Sequence, residues 1–400
     1  MSGPIHLLRN QIRSYAWGSH TALAELTGRA SPTAEPEAEL WMGAHPGAPS
    51  KLVTGRGELP LGDWIREDPV AVLGSEVSRR FGELPFLFKV VAPDRALSIQ
   101  CHPNAEQARE GFARENAVGL APDAPNRSYR DPHHKPELVC ALTPFDALCG
   151  FRPIDEILDG LAALELPALR EVLAAFAADR TQRGLARCFR AVMTRSRDER
   201  ALLADQVAEA AGRGAGEAET CQRAVSLAQE YPGDAGVLAP FLLNPLQLAP
   251  GEALFLPAGE LHCYLRGMAV ELMANSDNVL RGGLTPKHVD VPELLRTLSF
   301  RSGRPTLLRP RELAPGNAVY DTSVDEFQLT VLRPRPQRPV SCRDHGSVAI
   351  LFCAEGSASL AGEGAAPLAL ARGAAALVPA SLQGLRVEGD AVVYRAGVPR

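Results

Sequence analysis

The stretch that decides both fold and site reads Ala96-Leu97-Ser98-Ile99-Gln100-Cys101-His102-Pro103-Asn104. It predicts a strand that ends at the proline, and side chains alternate between the two faces of a strand. Gln100 and His102 therefore share one face, while Leu97, Ile99 and Cys101 share the other, which is apolar and suits a core. An amide and an imidazole on one face indicate a possible metal site. Taken alone, the stretch is also compatible with a strand end that carries solvated polar groups.

Length and composition limit the class of protein. A chain of 400 residues favours two or three domains. The net charge of -5 and a pI near 6.0 argue against a general nucleic-acid or membrane-surface binder. No apolar run predicts a membrane span and no signal-peptide pattern is present, so we expect a soluble, cytoplasmic protein. The eight cysteines form no CxxC pair, which favours reduced, buried thiols over disulfides or a thiolate zinc site.

Lysine is rare in this chain. Of 42 basic residues only four are lysines, namely Lys51, Lys89, Lys135 and Lys287. Where composition favours arginine, lysines should persist at positions that need a compact ammonium able to lose its proton. The last three lie within motif stretches, and we expect them in a functional site. Lys51 lies outside such a stretch, and chance explains it.

The order of patterns predicts a mainly β fold with a helical insertion. Short apolar segments between Gly and Pro turns are typical of small antiparallel barrels or jelly rolls. Between Ile154 and about Tyr231 apolar residues recur at helical spacing, which predicts about five helices. We expect duplicated jelly-roll barrels, with an N-terminal region that carries metal ligands, an inserted helical domain, a central region that completes the site, and a degenerate C-terminal β domain. The boundaries expected for these four regions are 1–152, 153–235, 236–320 and 321–400.

A weak internal repeat supports the duplication. Residues 248–258 and 370–380 align without gaps, each with a turn glycine, an apolar strand and a Pro-Ala pair. The position that corresponds to His262 in the first copy is Gly384 in the second. Only the first copy therefore keeps a potential ligand, as expected for a duplicated fold with one working site.

Two further stretches carry groups suited to chemistry. Residues 131–137 read Asp-Pro-His-His-Lys-Pro-Glu and lead into an apolar strand that Glu137 opens. Residues 271–287 combine charges with turn residues, and Asp277, Arg281 and Lys287 are typical of loop-borne site residues. Either stretch taken alone is also compatible with an exposed charged loop. Lys89 is the one charge in an apolar strand, so it must snorkel or meet an anion.

A jelly-roll interior would bring together Gln100, His102, Glu137 and His262. Two imidazoles, a carboxylate and an amide oxygen form a mixed nitrogen and oxygen set without thiolate. Such a set suits zinc, iron or manganese about equally. Cys101 and Cys263 flank two of the candidate ligands, and alternation should place their side chains on the opposite face.

In these motifs and several others, the chain resembles the type I phosphomannose isomerases (mannose-6-phosphate isomerases) of the cupin superfamily. The matching stretches cover nearly the first three quarters of the chain, and the C-terminal eighty residues match only as a degenerate barrel. The stretches are Tyr15-Ala16-Trp17-Gly18, Glu39-Leu40-Trp41-Met42-Gly43, 97–103, His134-Lys135-Pro136-Glu137 and 276–287. The resemblance implies cupin-type barrels and one zinc ion held by Gln100, His102, Glu137 and His262. It further implies reversible conversion of mannose 6-phosphate to fructose 6-phosphate, with Arg281 as a catalytic group.

Aldose–ketose isomerisation moves a proton between C1 and C2 through a cis-enediolate, so it needs a base, oxyanion stabilisation and a fixed phosphate. We expect Lys135 or His134 to carry the proton, with Glu271 as the rival base. Arg281 is expected to stabilise the enediolate or grip the phosphate, and Asp277 to orient Arg281 or assist ring opening. The groups expected around the substrate and its phosphate are Lys89, Ser98, Lys287 and Trp17.

Three other functions stay open at this point. An iron-dependent cupin oxygenase would consume oxygen, although an amide ligand and phosphate-ready cations argue against it. A non-catalytic sugar-phosphate sensor would need no proton carrier, and an isomerase of the same fold could act on another sugar phosphate. The expected partner is a small sugar phosphate, with no nucleic acid and no membrane, on a monomer or weak homodimer.

Overall fold

The structure is a computed structural model that describes residues 4–55, 57–342 and 346–399. Strands and helices are unevenly distributed along the chain, with one long helical stretch between residues 154 and 242. The strands are β1 His6–Arg9, β2 Gln11–Arg13, β3 Glu39–Met42, β4 Lys51–Thr54, β5 Gly57–Pro60, β6 Phe86–Val91, β7 Ile99–Cys101, β8 Glu137–Ala141, β9 Phe145–Phe151, β10 Leu243–Leu248, β11 Ala253–Leu256, β12 His262–Arg266, β13 Ala269–Ala274, β14 Leu280–Gly283, β15 Leu307–Leu308, β16 Arg311–Ala314, β17 Asn317–Tyr320, β18 Gln328–Leu332, β19 Val340–Cys342, β20 Ala349–Gly362, β21 Ala365–Ala371, β22 Ala375–Val378 and β23 Leu385–Gly397. The α-helices are α1 Ala22–Leu26, α2 Leu61–Glu67, α3 Pro69–Leu73, α4 Ser75–Phe81, α5 Ala105–Ala117, α6 Ile154–Ala163, α7 Arg170–Ala178, α8 Gln182–Met193, α9 Arg197–Gly212, α10 Ala218–Glu230, α11 Ala239–Leu242 and α12 Val291–Thr297.

The strands form three antiparallel sheets. The site sheet has the order β10-β9-β12-β7-β14, and the central sheet has the order β15-β11-β8-β13-β6-β3-β2. The C-terminal sheet follows the path β16-β17-β18-β23-β20-β22-β1-β4-β5, with β19 on β23 and β21 on β20. In all three sheets the chain order and the spatial order differ, so strands distant in sequence lie side by side.

The central sheet is covered on both faces because its strands are apolar on both. Val139 of β8 lies in a core shared with Ala147 of the site sheet. Its neighbour Leu138 points the other way and lies in a core shared with Phe352 of the C-terminal sheet. Continuous burial along β6 and β8 fits this position between two sheets.

The helices α6 to α10 occupy the stretch where helical spacing predicted about five. In α8 the buried residues Leu185, Cys188, Phe189 and Val192 recur every three or four positions. They share a core with the outer face of the site sheet, including Ile99. The boundaries of the four expected domains themselves stay a prediction.

The prediction of a mainly β fold with helices is confirmed. Within the described residues, the strand order of each sheet runs between two edge strands and does not close into a barrel. One detail of the opening stretch was wrong. Strand β7 begins only at Ile99, so the alternation does not extend back to Leu97, which lies in the core between the site and central sheets. The prediction for cysteine is confirmed, since all eight are free and buried. Among the described residues, helices long and apolar enough to cross a membrane are absent.

Candidate metal centre and cationic cleft

A row of three polar residues runs from β12 through β7 to the edge strand β14 of the site sheet. Gln100 on β7 lies directly opposite His262 on β12 and opposite Arg281 on β14. Opposed residues of neighbouring strands point to the same face, so all three side chains share one face of the site sheet. Cys101 and Cys263 alternate away and lie in the core beneath the helices, as predicted.

Two histidines and a glutamate meet below this row. The candidate ligand atoms of His102, Glu137 and His262 all lie within 4.8 Å of one another, and the three residues are buried. The Nε2 atoms of His102 and His262 lie 3.4 and 3.3 Å from the same atom, Oε2 of Glu137. Glu137 reaches this point from the central sheet, so the cluster joins two sheets.

Backbone carbonyls determine which ring nitrogens carry protons. Nδ1 of His102 lies 2.8 Å from the carbonyl oxygen of Asn278, and Nδ1 of His262 lies 3.0 Å from that of Glu260. A carbonyl can only accept, so each Nδ1 donates and each neutral ring turns its Nε2 lone pair inward. A hydrogen bond from the ring nitrogen that does not face the metal orients an imidazole for metal ligation.

The cluster fits a divalent cation. Two nitrogen lone pairs and a carboxylate oxygen at these distances repel one another unless a positive charge lies between them. In the part of the chain that the structure describes, Nε2 of His102 is buried without a hydrogen-bond partner. Burial, and then the charge of Lys135, lower the pKa of His102 to about 4, which favours the neutral, ligating form. Nitrogen and oxygen donors without thiolate are a set that zinc accepts.

A cleft of about 1130 Å³ opens beside the cluster. Its walls include most residues that the sequence assigned to the site, namely Trp17, Lys89, Ser98, Gln100, Lys135, Asp277, Arg281 and Lys287. A pocket of about 60 Å³ adjoins them and reaches Glu137, His262 and Glu271. Three of the four lysines line the cleft, whereas Lys51 is exposed and pairs with Glu58 at 3.4 Å.

The anion expected beside Lys89 is a pair of protein carboxylates. Nζ of Lys89 lies 2.9 Å from Oε2 of Glu271 and 3.7 Å from Oε1 of Glu39. The hydroxyl of Tyr264 donates to Oε1 of Glu271 at 2.9 Å, and Nε1 of Trp41 donates to Oε2 of Glu39 at 2.8 Å. Burial opposes the ammonium charge, but the carboxylates outweigh it and raise the pKa of Lys89. Burial also raises the pKa of Glu271, against the pull of Lys89.

Of the remaining predicted residues, Lys135 and Asp277 line the cleft, whereas His134 does not. Nζ of Lys135 lies 3.1 Å from Oε1 of Glu137 and so contacts the cluster. Asp277 lines the cleft, but its close partner is Nε2 of His45 at 3.3 Å and not Arg281. Nε2 of His134 lies 2.6 Å from Oε1 of Glu326, in the C-terminal β region, and His134 is not among the residues that line the cleft.

Sequence reasoning missed two residues. Arg130 lines the cleft, and Asn278 is fully buried next to it. The side-chain oxygen of Asn278 accepts from the backbone nitrogen of Arg130 at 2.7 Å, and its Nδ2 donates to the carbonyl oxygens of Asp131 and His133, each at 2.8 Å. A buried Asn inside a polar loop was the available signal for Asn278. Arg130 lies within a Pro- and Asp-rich loop, where the sequence gives no signal that separates it from a solvated charge.

A buried histidine and carboxylate cluster beside a cleft rich in cations defines a metal-binding enzyme site for an anionic ligand. A family model described as phosphomannose isomerase type I, catalytic domain, matches residues 5–154. Mannose-6-phosphate isomerase of Escherichia coli K12 is 42% identical over 392 residues, which cover 97% of this chain and 98% of that protein. The human mannose-6-phosphate isomerase is 37% identical over 348 residues, which cover 80% of this chain and 79% of that protein.

Solved structures agree with the sequence comparison. A zinc-bound mannose 6-phosphate isomerase superimposes with a TM-score of 0.91 and 39% identity, and the match covers 100% of both chains. A point variant of phosphomannose isomerase from Salmonella typhimurium gives 0.92 and 39% identity over 100% of both chains. This chain belongs to the type I mannose-6-phosphate isomerase family.

Proposed function

We propose that this chain catalyses the reversible, zinc-dependent isomerisation of mannose 6-phosphate to fructose 6-phosphate through a cis-enediolate. Membership of the family gives the reaction. The observation that carries the proposal is the pair of Nε2 atoms that converge on one carboxylate oxygen at the floor of a cationic cleft. An iron oxygenase would not need the phosphate-ready cations of the cleft, and a sugar-phosphate sensor would not need a proton carrier such as the lysine that adjoins this cluster.

We assign the zinc ligands to Gln100, His102, Glu137 and His262. The last three form the buried cluster, and Gln100 is the cross-strand neighbour of His262 on the same face. When bound, zinc supplies Lewis acidity that polarises substrate oxygens. The protein contributes a buried site, imidazole tautomers fixed by backbone carbonyls, and a glutamate, Glu137, whose Oε1 atom contacts Lys135.

Arg281 faces the same side of the site sheet as the ligand Gln100, so it can reach the substrate from the neighbouring strand. A planar guanidinium suits either an enediolate oxygen or a phosphate. Ser98 and Lys287 line the cleft as further phosphate contacts, and Trp17 forms part of its wall. Lys89 is already neutralised by Glu271 and Glu39, which favours a place at the reacting oxygens over a place at the phosphate.

We assign proton transfer to Lys135, because it lines both the cleft and the adjoining pocket. Glu271 is the rival base, with both carboxylate oxygens engaged by Lys89 and Tyr264. The contact of His134 with Glu326 leaves it out of this proposal. We assign assistance of ring opening to Asp277, which lines the cleft and pairs with His45.

Two variants decide between the bases. Lys135→Met and Glu271→Gln are each purified, and bound zinc is measured beside turnover. With zinc retained, Lys135→Met should lower kcat by about 10² to 10⁴-fold, the range of general acid–base catalysis. A kcat unchanged in Lys135→Met and abolished in Glu271→Gln would transfer the role to Glu271.

We also propose that the β regions form two cupin-type jelly-roll units, the second degenerate. Support comes from the repeated turn–strand unit around Gly251 and Gly373, both of which adopt positive φ. A monomer or weak homodimer and a cytoplasmic location stay predictions.

Metal analysis with a coupled assay tests the function. Purified protein should contain one zinc per chain and convert mannose 6-phosphate, and chelation should abolish turnover until zinc is restored. Glucose 6-phosphate serves as the control substrate. Turnover of another sugar phosphate in preference to mannose 6-phosphate would contradict the substrate assignment.

A further inference from the structure

We propose that Arg130 binds the phosphate of the substrate together with Arg281 and Lys287, and thereby selects phosphorylated sugars. The inference rests on the proposed function and adds a residue to it. All three side chains line the cleft.

Arg130, Arg281 and Lys287 differ from Lys89 and Lys135, which also line the cleft, because none of the three is paired with a carboxylate among the described residues. Nζ of Lys89 and Nζ of Lys135 lie 2.9 and 3.1 Å from carboxylate oxygens. Within residues 4–55, 57–342 and 346–399, by contrast, ion pairs of Arg130, Arg281 or Lys287 with a carboxylate are not seen. These cations are therefore free for an external anion.

Arg130, Arg281 and Lys287 line the same cleft and lie close enough for the charge of Arg130 to lower the pKa of the other two. Burial, and then the charge of Arg130, lower the pKa of Arg281. Burial and the charges of Arg281 and Arg130 lower the pKa of Lys287. Gathering three like charges is unfavourable without an anion, and a phosphate monoester carries about −1.5 to −2 charges at neutral pH. Such a group matches the cluster better than a neutral sugar hydroxyl does.

The buried residue Asn278 connects the backbone segments that carry Arg130 and Arg281. The side-chain oxygen of Asn278 accepts from the backbone nitrogen of Arg130 at 2.7 Å, and the chain continues from Asn278 into β14, which carries Arg281. The backbone of Arg130 is thus fixed while its side chain stays exposed. A guanidinium on a fixed backbone can make paired hydrogen bonds to phosphate oxygens.

Asp277 is the competing partner to consider. Burial raises the pKa of Asp277, but the hydrogen bond and charge of His45, followed by the charges of Lys135 and Arg130, outweigh burial and lower it. The Asp277 carboxylate nevertheless lies 3.3 Å from His45, its close partner. Arg130 therefore retains its donors for the ligand.

Arg130→Met is the test, because methionine keeps an unbranched apolar stem and removes the charge. Arg109→Met is the matched control, since Arg109 is exposed on α5, outside the cleft, and the change in net charge is the same. Steady-state kinetics on mannose 6-phosphate and inhibition by inorganic phosphate are measured for both, with Arg130→Lys as the conservative variant.

For Arg130→Met we expect KM and the inhibition constant of phosphate to rise at least about tenfold each, with kcat within about threefold, because phosphate contacts act on binding. Arg109→Met should match the parent, and Arg130→Lys should recover part of the affinity. Phosphate affinity unchanged within about twofold, or a loss confined to kcat, would overturn the proposal. Phosphate binding by calorimetry is independent of turnover, so an inactive parent would refute the proposed function and leave this test intact.

Discussion

The two copies of the internal repeat have the same backbone plan and different contents. Gly251 and Gly373 adopt φ values of 86° and 79°, and each precedes a four-residue strand, β11 or β22. A left-handed turn of this kind favours glycine, which explains why both copies keep it. The first copy then leads to His262, and the second leads to Gly384, whose φ is 62°.

The surroundings of the two strands explain the difference. Leu256 at the end of β11 pairs with Glu137, so the first copy lies beside the candidate metal cluster. In the second copy, Leu377 of β22 pairs with Ile350, and both are fully buried in an apolar core. Turn glycines and apolar alternation maintain the fold in both places. A few polar side chains at strand ends supply the chemistry in one.

Removing the imidazole that distinguishes the first copy should have the largest effect. His262→Ala should lose bound zinc and lower kcat/KM by about 10³-fold or more, because substrate polarisation disappears with the metal. Metal content and coupled turnover measure this. His20→Ala, an exposed histidine outside the cleft, is the control and should keep both. Full activity of His262→Ala would contradict the view that the imidazole of the first copy is needed for the chemistry.

Chelation of the zinc should lower local stability more around the metal cluster than in the C-terminal sheet. Loss of a zinc present at about 1,000 times its Kd removes about 4 kcal/mol from the native state. Hydrogen exchange should accelerate in β8 and β12, which carry Glu137 and His262, more than in β20 and β23 of the C-terminal sheet. Equal acceleration everywhere would show that the metal stabilises the chain as one unit.

A cavity in the second copy should affect stability without affecting chemistry. Leu377→Ala should cost about 2 to 5 kcal/mol of unfolding free energy, because the leucine is fully buried. The kcat/KM per folded molecule should stay within about twofold of the parent, since the cleft is lined by other residues. Denaturant unfolding and kinetics on the same preparation measure both quantities.

Restoring an imidazole to the second copy should have the smallest effect. Gly384→His should bind no additional zinc, because within the described residues the cluster of His102, Glu137 and His262 is the one grouping of this type. Its positive φ should cost about 1 to 2 kcal/mol. A second equivalent of zinc in this variant would contradict the view that the second copy is purely structural.

Much of this fold was predictable from local pattern. Turn glycines, apolar alternation and helical spacing act over a few residues, so the mainly β class, the five helices and the free cysteines were expected correctly. Leu97 was placed wrongly because a strand boundary depends on pairing with β12 and β14, which the sequence does not display.

The site was predictable where residue type alone is informative. Imidazole, carboxylate and amide side chains suit metal ligation, so Gln100, His102, Glu137 and His262 were expected to meet in a jelly-roll interior. His102, Glu137 and His262 do form a buried cluster. The carboxylate partners of Lys89 and the contact of His134 with Glu326 depend on sheet packing between distant segments. Arg130 was missed because an arginine in a polar loop is usually a solvated charge.

X-ray absorption at the zinc edge of the purified protein measures directly which side chains hold the metal. We expect a shell of two imidazole nitrogens at about 2.0–2.1 Å with oxygen ligands at about 2.0–2.2 Å and no sulfur. A zinc–sulfur distance of about 2.3 Å would place the metal on one of the eight buried cysteines and contradict a site built from His102, Glu137 and His262.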